Sequence, residues 1–182
     1  MKIIKILLAI GILLFMGNRA LSINIDEARP IFKEITLLCG MFGTHCTVTD
    51  VVDNHMFAQT QFNGRIIISS GLLAKLNANQ TRAVLYHEAG HAVLKHVERT
   101  YRYHQDCLPD KCNQEFIDSV RRQHELHADR FATLVLKYTH QHEGLSEALI
   151  IITPVDQMGV THPSHPSTLD RIKEIRRVYY GQ

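Results

Sequence analysis

The chain has 182 residues, 45% hydrophobic and 21% charged, which suits one domain with a packed core and excludes wholesale disorder. Its formal net charge of +2 gives no electrostatic reason to expect a nucleic-acid partner. Histidine stands out in the composition, with 12 copies beside no tryptophan.

Lys2 and Lys5 precede an apolar run from Ile6 to Met16, and the small residues Gly17, Ala20 and Ser22 follow. This is the layout of a secretory signal, so residues 1–22 are expected to be a signal peptide and 23–182 one mature domain, periplasmic or secreted. The run is shorter than the ~20 apolar residues that span a bilayer. The alternative is a membrane anchor through residues 6–16. Loss of Lys2, Lys5 and Arg19 leaves 17 of the 20 basic residues against 18 acidic ones, and any basic-patch argument disappears. The four cysteines form no C-x-x-C pair. Cys39 and Cys46 enclose Gly40 and Gly43, while Cys107 and Cys112 enclose Pro109-Asp110. Export predicts disulfides Cys39–Cys46 and Cys107–Cys112.

Residues 26–38 read as an amphipathic helix with Ala28, Ile31, Ile35 and Leu38 on one side. Residues 47–53 and 56–62 read as short strands separated by an Asp53-Asn54 turn. Asn63-Gly64 then leads into the β-branched run Ile66-Ile67-Ile68. From Gly71 onward the pattern is helical. Asn77 with Gln80 three residues later has the form of a capping box. It predicts one helix running to about Arg99, with Ala83, Val84, Ala92, Val93 and Val97 buried, and then a loop from Tyr101 to Asn113. A second long helix is predicted over 114–140, with Phe116, Val120, Phe131, Leu134 and Val135 as core candidates. The segment 145–152 fits either a helix or, through Ile150-Ile151-Ile152, a strand. Ser167 with Asp170 starts a final helix that buries Leu169, Ile172, Ile175 and Val178. The fold class is α+β, mostly helical, with a small N-terminal sheet.

Inside the first long helix sits His87-Glu88-Ala89-Gly90-His91. Histidines at i and i+4 share one helix face, so both imidazoles can reach one ion at ~2.0–2.1 Å. Glu88 can lie beside the open coordination position, take a proton from a metal-activated water and hand it to the leaving amine. A catalytic zinc needs a third protein ligand. Leu94 and Val97 stand where metzincins require glycine and histidine, which excludes that family. His96 is placed roughly 140° further round a continuous helix than His91 and is not expected to share the site. The better source is His124-Glu125-Leu126-His127-Ala128-Asp129. Glu125 and Asp129 are also one turn apart, so one carboxylate can bind metal while the other orients a ligand imidazole. Spacing leaves His124 and His127 open as the third ligand.

These segments, with Ser164-His165-Pro166 and Arg171-Ile172, resemble the HtpX and CAAX prenyl protease type of zinc metallopeptidase, over about residues 64–178. The resemblance implies a gluzincin-like domain whose zinc is held by His87, His91 and Glu125, with Glu88 as general base and acid. It places Asp129 behind a ligand histidine, His165 near the open zinc position, and Arg171 between the last helix and the active-site helices. The family's spacing of histidine to arginine selects His165 rather than His162 from the doubled His-Pro pair. No transmembrane hairpins like those of the prenyl proteases are present, so cleavage within a membrane is not implied. The expected function is zinc-dependent hydrolysis of protein or peptide substrates, with misfolded envelope proteins as the class the resemblance suggests. The alternative is a non-catalytic zinc-binding or structural module.

Overall fold

The computed structural model describes residues 22–106, 113–139, 143–154 and 157–181. Helix α1 (Ile25–Met41) starts at a capping box in which Asn24 Oδ1 accepts the Glu27 N–H and the Glu27 carboxylate accepts the Asn24 N–H. Ala28, Ile31, Phe32, Ile35 and Cys39 form its buried stripe, and Leu38 is only half-buried. The helix ends at Phe42, Gly43 takes a left-handed φ of 69°, and the Cys39–Cys46 disulfide ties this turn to the first strand. Cys107 and Cys112 lie outside the described residues.

The strands are β1 (Thr47–Val51), β2 (Ala58–Thr60) and β3 (Arg65–Ser69), all shorter at one end or both than the alternation suggests, except β3. Their order is β1-β3-β2, with β1 parallel and β2 antiparallel to β3. The most apolar strand, with Ile66 and Ile68 fully buried, takes the centre, where its backbone groups are paired along both edges. Residues 52–57 leave the sheet because side chains there compete for the backbone: Asp53 Oδ1 accepts the His55 N–H, and Ser70 Oγ accepts that of Asp53. Gly71 is packed so close that a Cβ would meet the Asn54 carbonyl oxygen at 2.4 Å.

A single turn, α2 (Ser70–Leu73), precedes α3 (Ala78–Val93), which begins at the predicted Asn77–Gln80 capping box. The expectation of one helix to Arg99 is corrected. The chain breaks at Leu94 and Lys95, Lys95 adopts φ 55°, and a new helix α4 (His96–Asp106) occupies the start of the predicted loop. The break turns His96 inward and leaves Val93 and Val97 half-buried.

Helix α5 (Gln114–Thr139) crosses α3 face to face. Its inner face is made by Ile117, Ala128, Ala132 and Leu136, whereas the predicted core residues Phe116 and Leu134 are exposed. Small residues line this face because the helices meet at Gly90, where a Cβ would stand 3.1 Å from Ala128 Cα. The ambiguous segment is a helix, α6 (Glu143–Ile152), burying Leu145, Ala148 and Leu149 at i, i+3, i+4 while Ile150 and Ile151 face outward. The last helix, α7 (Thr168–Tyr180), is capped by Ser167, whose Oγ accepts the Asp170 N–H, and buries Ile172 and Ile175. Leu169, expected inside, is exposed, and Val178 is half-buried. The architecture is α+β, a small sheet beside a helical layer built around α3. No helix among the described residues is long and apolar enough to cross a membrane.

Candidate metal centre and active site

Helix α3 presents His87 and His91 one turn apart, and α5 brings Glu125 across to them. The Nε2 atoms of His87 and His91 lie 3.0 Å apart. Glu125 places Oε2 3.5 Å from His87 Nε2 and Oε1 3.4 Å from His91 Nε2. Three ligand atoms at ~2.0–2.1 Å from a tetrahedral ion stand ~3.3 Å from one another. The two imidazole nitrogens and the carboxylate, which turns one oxygen to each of them, form a triangle close to that size. Two imidazole nitrogens and one carboxylate oxygen are also the donor types of a catalytic zinc, and the donor set fits. His124 and His127, left open by spacing, are not in the triangle. His124 stacks on His96 at 4.1 Å, and His127 faces the same side 6.1 Å from that ring.

Behind the triangle lies an ion network with almost no exposure. His87 Nδ1 donates to Asp129 Oδ1 at 2.8 Å, which leaves Nε2 as the nitrogen turned toward the ligand position. Arg171 donates through Nε and Nη2 to both Asp129 oxygens at 2.7 Å, and its Nη1 stands 3.4 Å from Glu125 Oε2. One guanidinium thus joins α7 to the α5 carboxylates in a two-point fork. Burial disfavours charge on both carboxylates, but Arg171 and His87 overcome it at Asp129, and the two histidines with Arg171 overcome it at Glu125. Both pKa values fall below the usual carboxylate range. Burial and the Arg171 charge likewise oppose a proton on His87, yet its bond to Asp129, the Asp129 charge and a bond to Glu125 raise its pKa to about 10. A cation with two positive charges satisfies that same anionic surround by displacing the proton.

Glu88 lines a cavity of about 450 Å³ together with His87, His91, Glu125, His165 and Arg171. Its carboxylate is not among the ligand atoms. Thr60 at the end of β2 reaches it, with Oγ1 2.8 Å from Glu88 Oε2. Apart from Gln59, the rest of the cavity wall is apolar, from Val84, Leu145, Leu149 and Ile152 among others, and β2 borders it as one of the two outer strands of the sheet.

His165 reaches the rim of the triangle, with Nε2 3.8 Å from Glu125 Oε1. Its Nδ1 is 2.8 Å from Ser164 Oγ, which also lies 3.0 Å from His162 Nδ1, and the His165 N–H donates to the His162 carbonyl. His162 therefore sits on the outer side of Ser164, away from the cavity lining. Burial and Arg171 lower the His165 pKa, opposed by the Glu125 charge. Arg122 on α5 donates to the Pro163 carbonyl and holds the loop against the site.

Three residues near the site carry no sequence signal. Thr60 belongs to a strand with no motif. His96 contacts His91, with the two Nδ1 atoms 3.1 Å apart, because the Lys95 break abolishes the continuous helix that would have carried it away. Burial and the neighbouring histidines push the His96 pKa down to about 2, so its ring is neutral. Tyr86, buried on α3, donates its hydroxyl to Glu34 on α1, which also accepts from Arg82 Nε at 3.1 Å. This polar tie explains a large residue on that helix: it anchors the outer face of the motif helix to α1.

No curated protein matches the chain. The family model of Peptidase family M48 matches it over residues 34–109 and 110–179, which include every residue of the triangle, Glu88, the Asp129–Arg171 fork and His165. With a peptidase family's model covering the histidine pair, the acidic residues facing it and the cavity they share, the chain belongs to peptidase family M48.

Proposed function

We propose that the protein hydrolyses peptide bonds with Glu88 as general base and acid and with one zinc held by His87, His91 and Glu125. The observation that carries this reading is the Glu88 carboxylate, which lines the cavity beside the three ligand atoms without joining them. A purely structural metal site has no use for a carboxylate at that position. When bound, zinc would supply Lewis-acid polarisation of the scissile carbonyl and make water a stronger acid.

The chain's own residues divide the remaining work. Glu88 accepts a proton from the attacking water and returns it to the leaving amine. His165 donates toward the oxygen on which negative charge grows. Asp129 fixes the His87 tautomer, and Arg171 holds Asp129 and Glu125 in place. The outer edge of β2 offers backbone groups along the cavity, a surface to which an extended peptide can add as a strand.

Export to a periplasmic or extracellular space is supported by the leader-like residues 1–22 and by the Cys39–Cys46 disulfide, a bond that persists in oxidising compartments. Misfolded envelope proteins are the substrate class we infer from the resemblance in sequence. The test pairs zinc stoichiometry with cleavage of an unfolded protein, measured on the wild-type chain and on Glu88→Gln. The expected result is one zinc per chain in both, chelator-sensitive cleavage in the wild type, and a loss of at least ~10² in the variant. One tight zinc with no cleavage by the wild type would favour a non-catalytic zinc module.

A further inference from the structure

His91 and His87 are supported in chemically different ways. Behind His87 stands a carboxylate locked by an arginine. Behind His91 stands a second imidazole. The Nδ1 atoms of His91 and His96 are 3.1 Å apart, a hydrogen bond that carries a single proton. Nε2 of His91 faces His87 and Glu125, so a metal-ligating His91 must hold its proton on Nδ1 and donate it. His96 then accepts on Nδ1 and bears its own hydrogen on Nε2. That Nε2 is fully buried and has no hydrogen-bond partner among the described residues. A buried polar atom without a partner is costly, and the contact with His91 is what Nδ1 gains at that position.

We propose that His96 is a positioning residue that orients His91 and sets its tautomer; the inference rests on the metal-site reading above. The geometry holds the acceptor firmly. His96 is 2% exposed, its ring lies parallel to His124 within 8° at a centroid distance of 4.1 Å, and His124 Nδ1 is itself 3.2 Å from Thr100 Oγ1. The Lys95 break places it there, since a continuous α3 would carry residue 96 to another face. A neutral acceptor also suits the local charge. Glu88, Glu125 and Asp129 already stand around the ligands with Arg171 opposite, and a fourth carboxylate would add repulsion that an imidazole does not.

The test compares wild type with His96→Phe, which keeps an aromatic ring to stack on His124 but removes the acceptor, and with His96→Asn, whose amide oxygen can accept. Zinc dissociation constants are measured by chelator competition, and visible absorption is recorded on the cobalt-loaded chains. The expected result is ~10–100-fold weaker zinc binding for His96→Phe, the range for losing a hydrogen-bond partner of a metal-bound histidine, with a changed cobalt spectrum. His96→Asn is expected to recover most of the affinity. Equal affinity and an unchanged spectrum for a folded His96→Phe overturn the inference. Nitrogen-15 chemical shifts of the zinc-loaded wild type give an arm independent of any variant. They are expected to show His96 protonated on Nε2, and protonation on Nδ1 overturns the proposal. A wild type that binds no zinc overturns the metal-site reading and this inference together, whereas tight wild-type binding with an indifferent His96→Phe overturns this one alone.

Discussion

Thr60 Oγ1 lies 2.7 Å from the backbone carbonyl oxygen of Glu88 and 2.8 Å from its Oε2, so one hydroxyl at the end of β2 meets both the main chain and the side chain of the same residue. The hydroxyl has one proton to donate and two acceptors in reach, which confines the carboxylate to the rotamer that returns toward its own backbone. The strand that borders the cavity thereby sets where the base can point. Thr60→Val preserves the shape and removes the hydroxyl. Its kcat is expected to fall about tenfold, the equivalent of one modest hydrogen bond to a charged group, with KM little changed. Thr60→Ser should restore most of it. Steady-state kinetics on one peptide substrate checks both, and a full-rate Thr60→Val would remove Thr60 from the machinery.

His165 and His162 share Ser164 but not the cavity. His165→Ala is expected to keep zinc, melt within a few degrees of wild type and lose ~10²–10³ in kcat, the loss typical of one donor to a developing oxyanion. His162→Ala should stay near wild type in kcat. Zinc content, thermal melting and turnover on the two variants check this. Equal, mild effects would reduce the loop to a structural element.

Glu174 on α7 accepts from Arg177 at 2.7 Å and from Arg130 on α5 at 2.8 Å. Arg177 first, then Arg130, lower its pKa from 4.5 to about 2 against the opposing effect of burial. A depressed folded-state pKa means that, as pH falls, the unfolded chain takes up the proton first. The stabilisation is therefore complete above pH 4.5 and declines as pH falls toward about 2. Glu174→Gln should be less stable than wild type at pH 7, and the gap should narrow steadily below pH 4.5. Urea unfolding across that range checks the sign. Both arginines are about half exposed, so high salt should shrink the gap too.

The Cys39–Cys46 bond closes a short loop between α1 and β1, and both cysteines are fully buried. Chain entropy for so short a loop corresponds to about 2–3 kcal/mol. The Cys39→Ala/Cys46→Ala double variant is expected to lose stability of that order while keeping zinc, because neither residue touches the site. Non-reducing peptide mapping and denaturant melts provide the check. A double variant as stable as wild type would show that burial of the two side chains, rather than the bond, holds the turn.

The caps and the metal-facing helices were legible because their signals are local. Asn77–Gln80 and Ser167–Asp170 each name their own partner three residues away, and the i, i+4 pairs on α3 and α5 carry their geometry in their spacing. The sheet order was not legible, since the parallel pairing of β1 with β3 is a long-range contact that no local pattern marks. Neither was the turn at Lys95. Nothing in Leu94-Lys95-His96 is a helix breaker by composition, and only the tertiary surroundings that bury His96 favour a left-handed residue there. The same limit explains the exposed Phe116 and Leu134: periodicity marks a face, but α5 packs through alanines because α3 comes so near. Glu34 and Tyr86 are 52 positions apart, and no short-range pattern links them.

The contact of Gly90 with Ala128 makes the metal geometry a matter of backbone spacing. His87 and His91 flank Gly90 in sequence, and Glu125 and Asp129 flank Ala128, so the two donor sets ride on the same pair of turns. Beside the Phe131 ring, the opposing atoms at that crossing are the main-chain Cα and carbonyl oxygen of Ala128, which have no rotamer into which they can retreat. Metal–ligand lengths tolerate errors of only about 0.2 Å. One methyl group at position 90 would need a few tenths of an ångström at the crossing. It would thus spend the whole tolerance of a centre it never touches, and the hydrogen side chain of glycine acts as the gauge block against which the two helices are set.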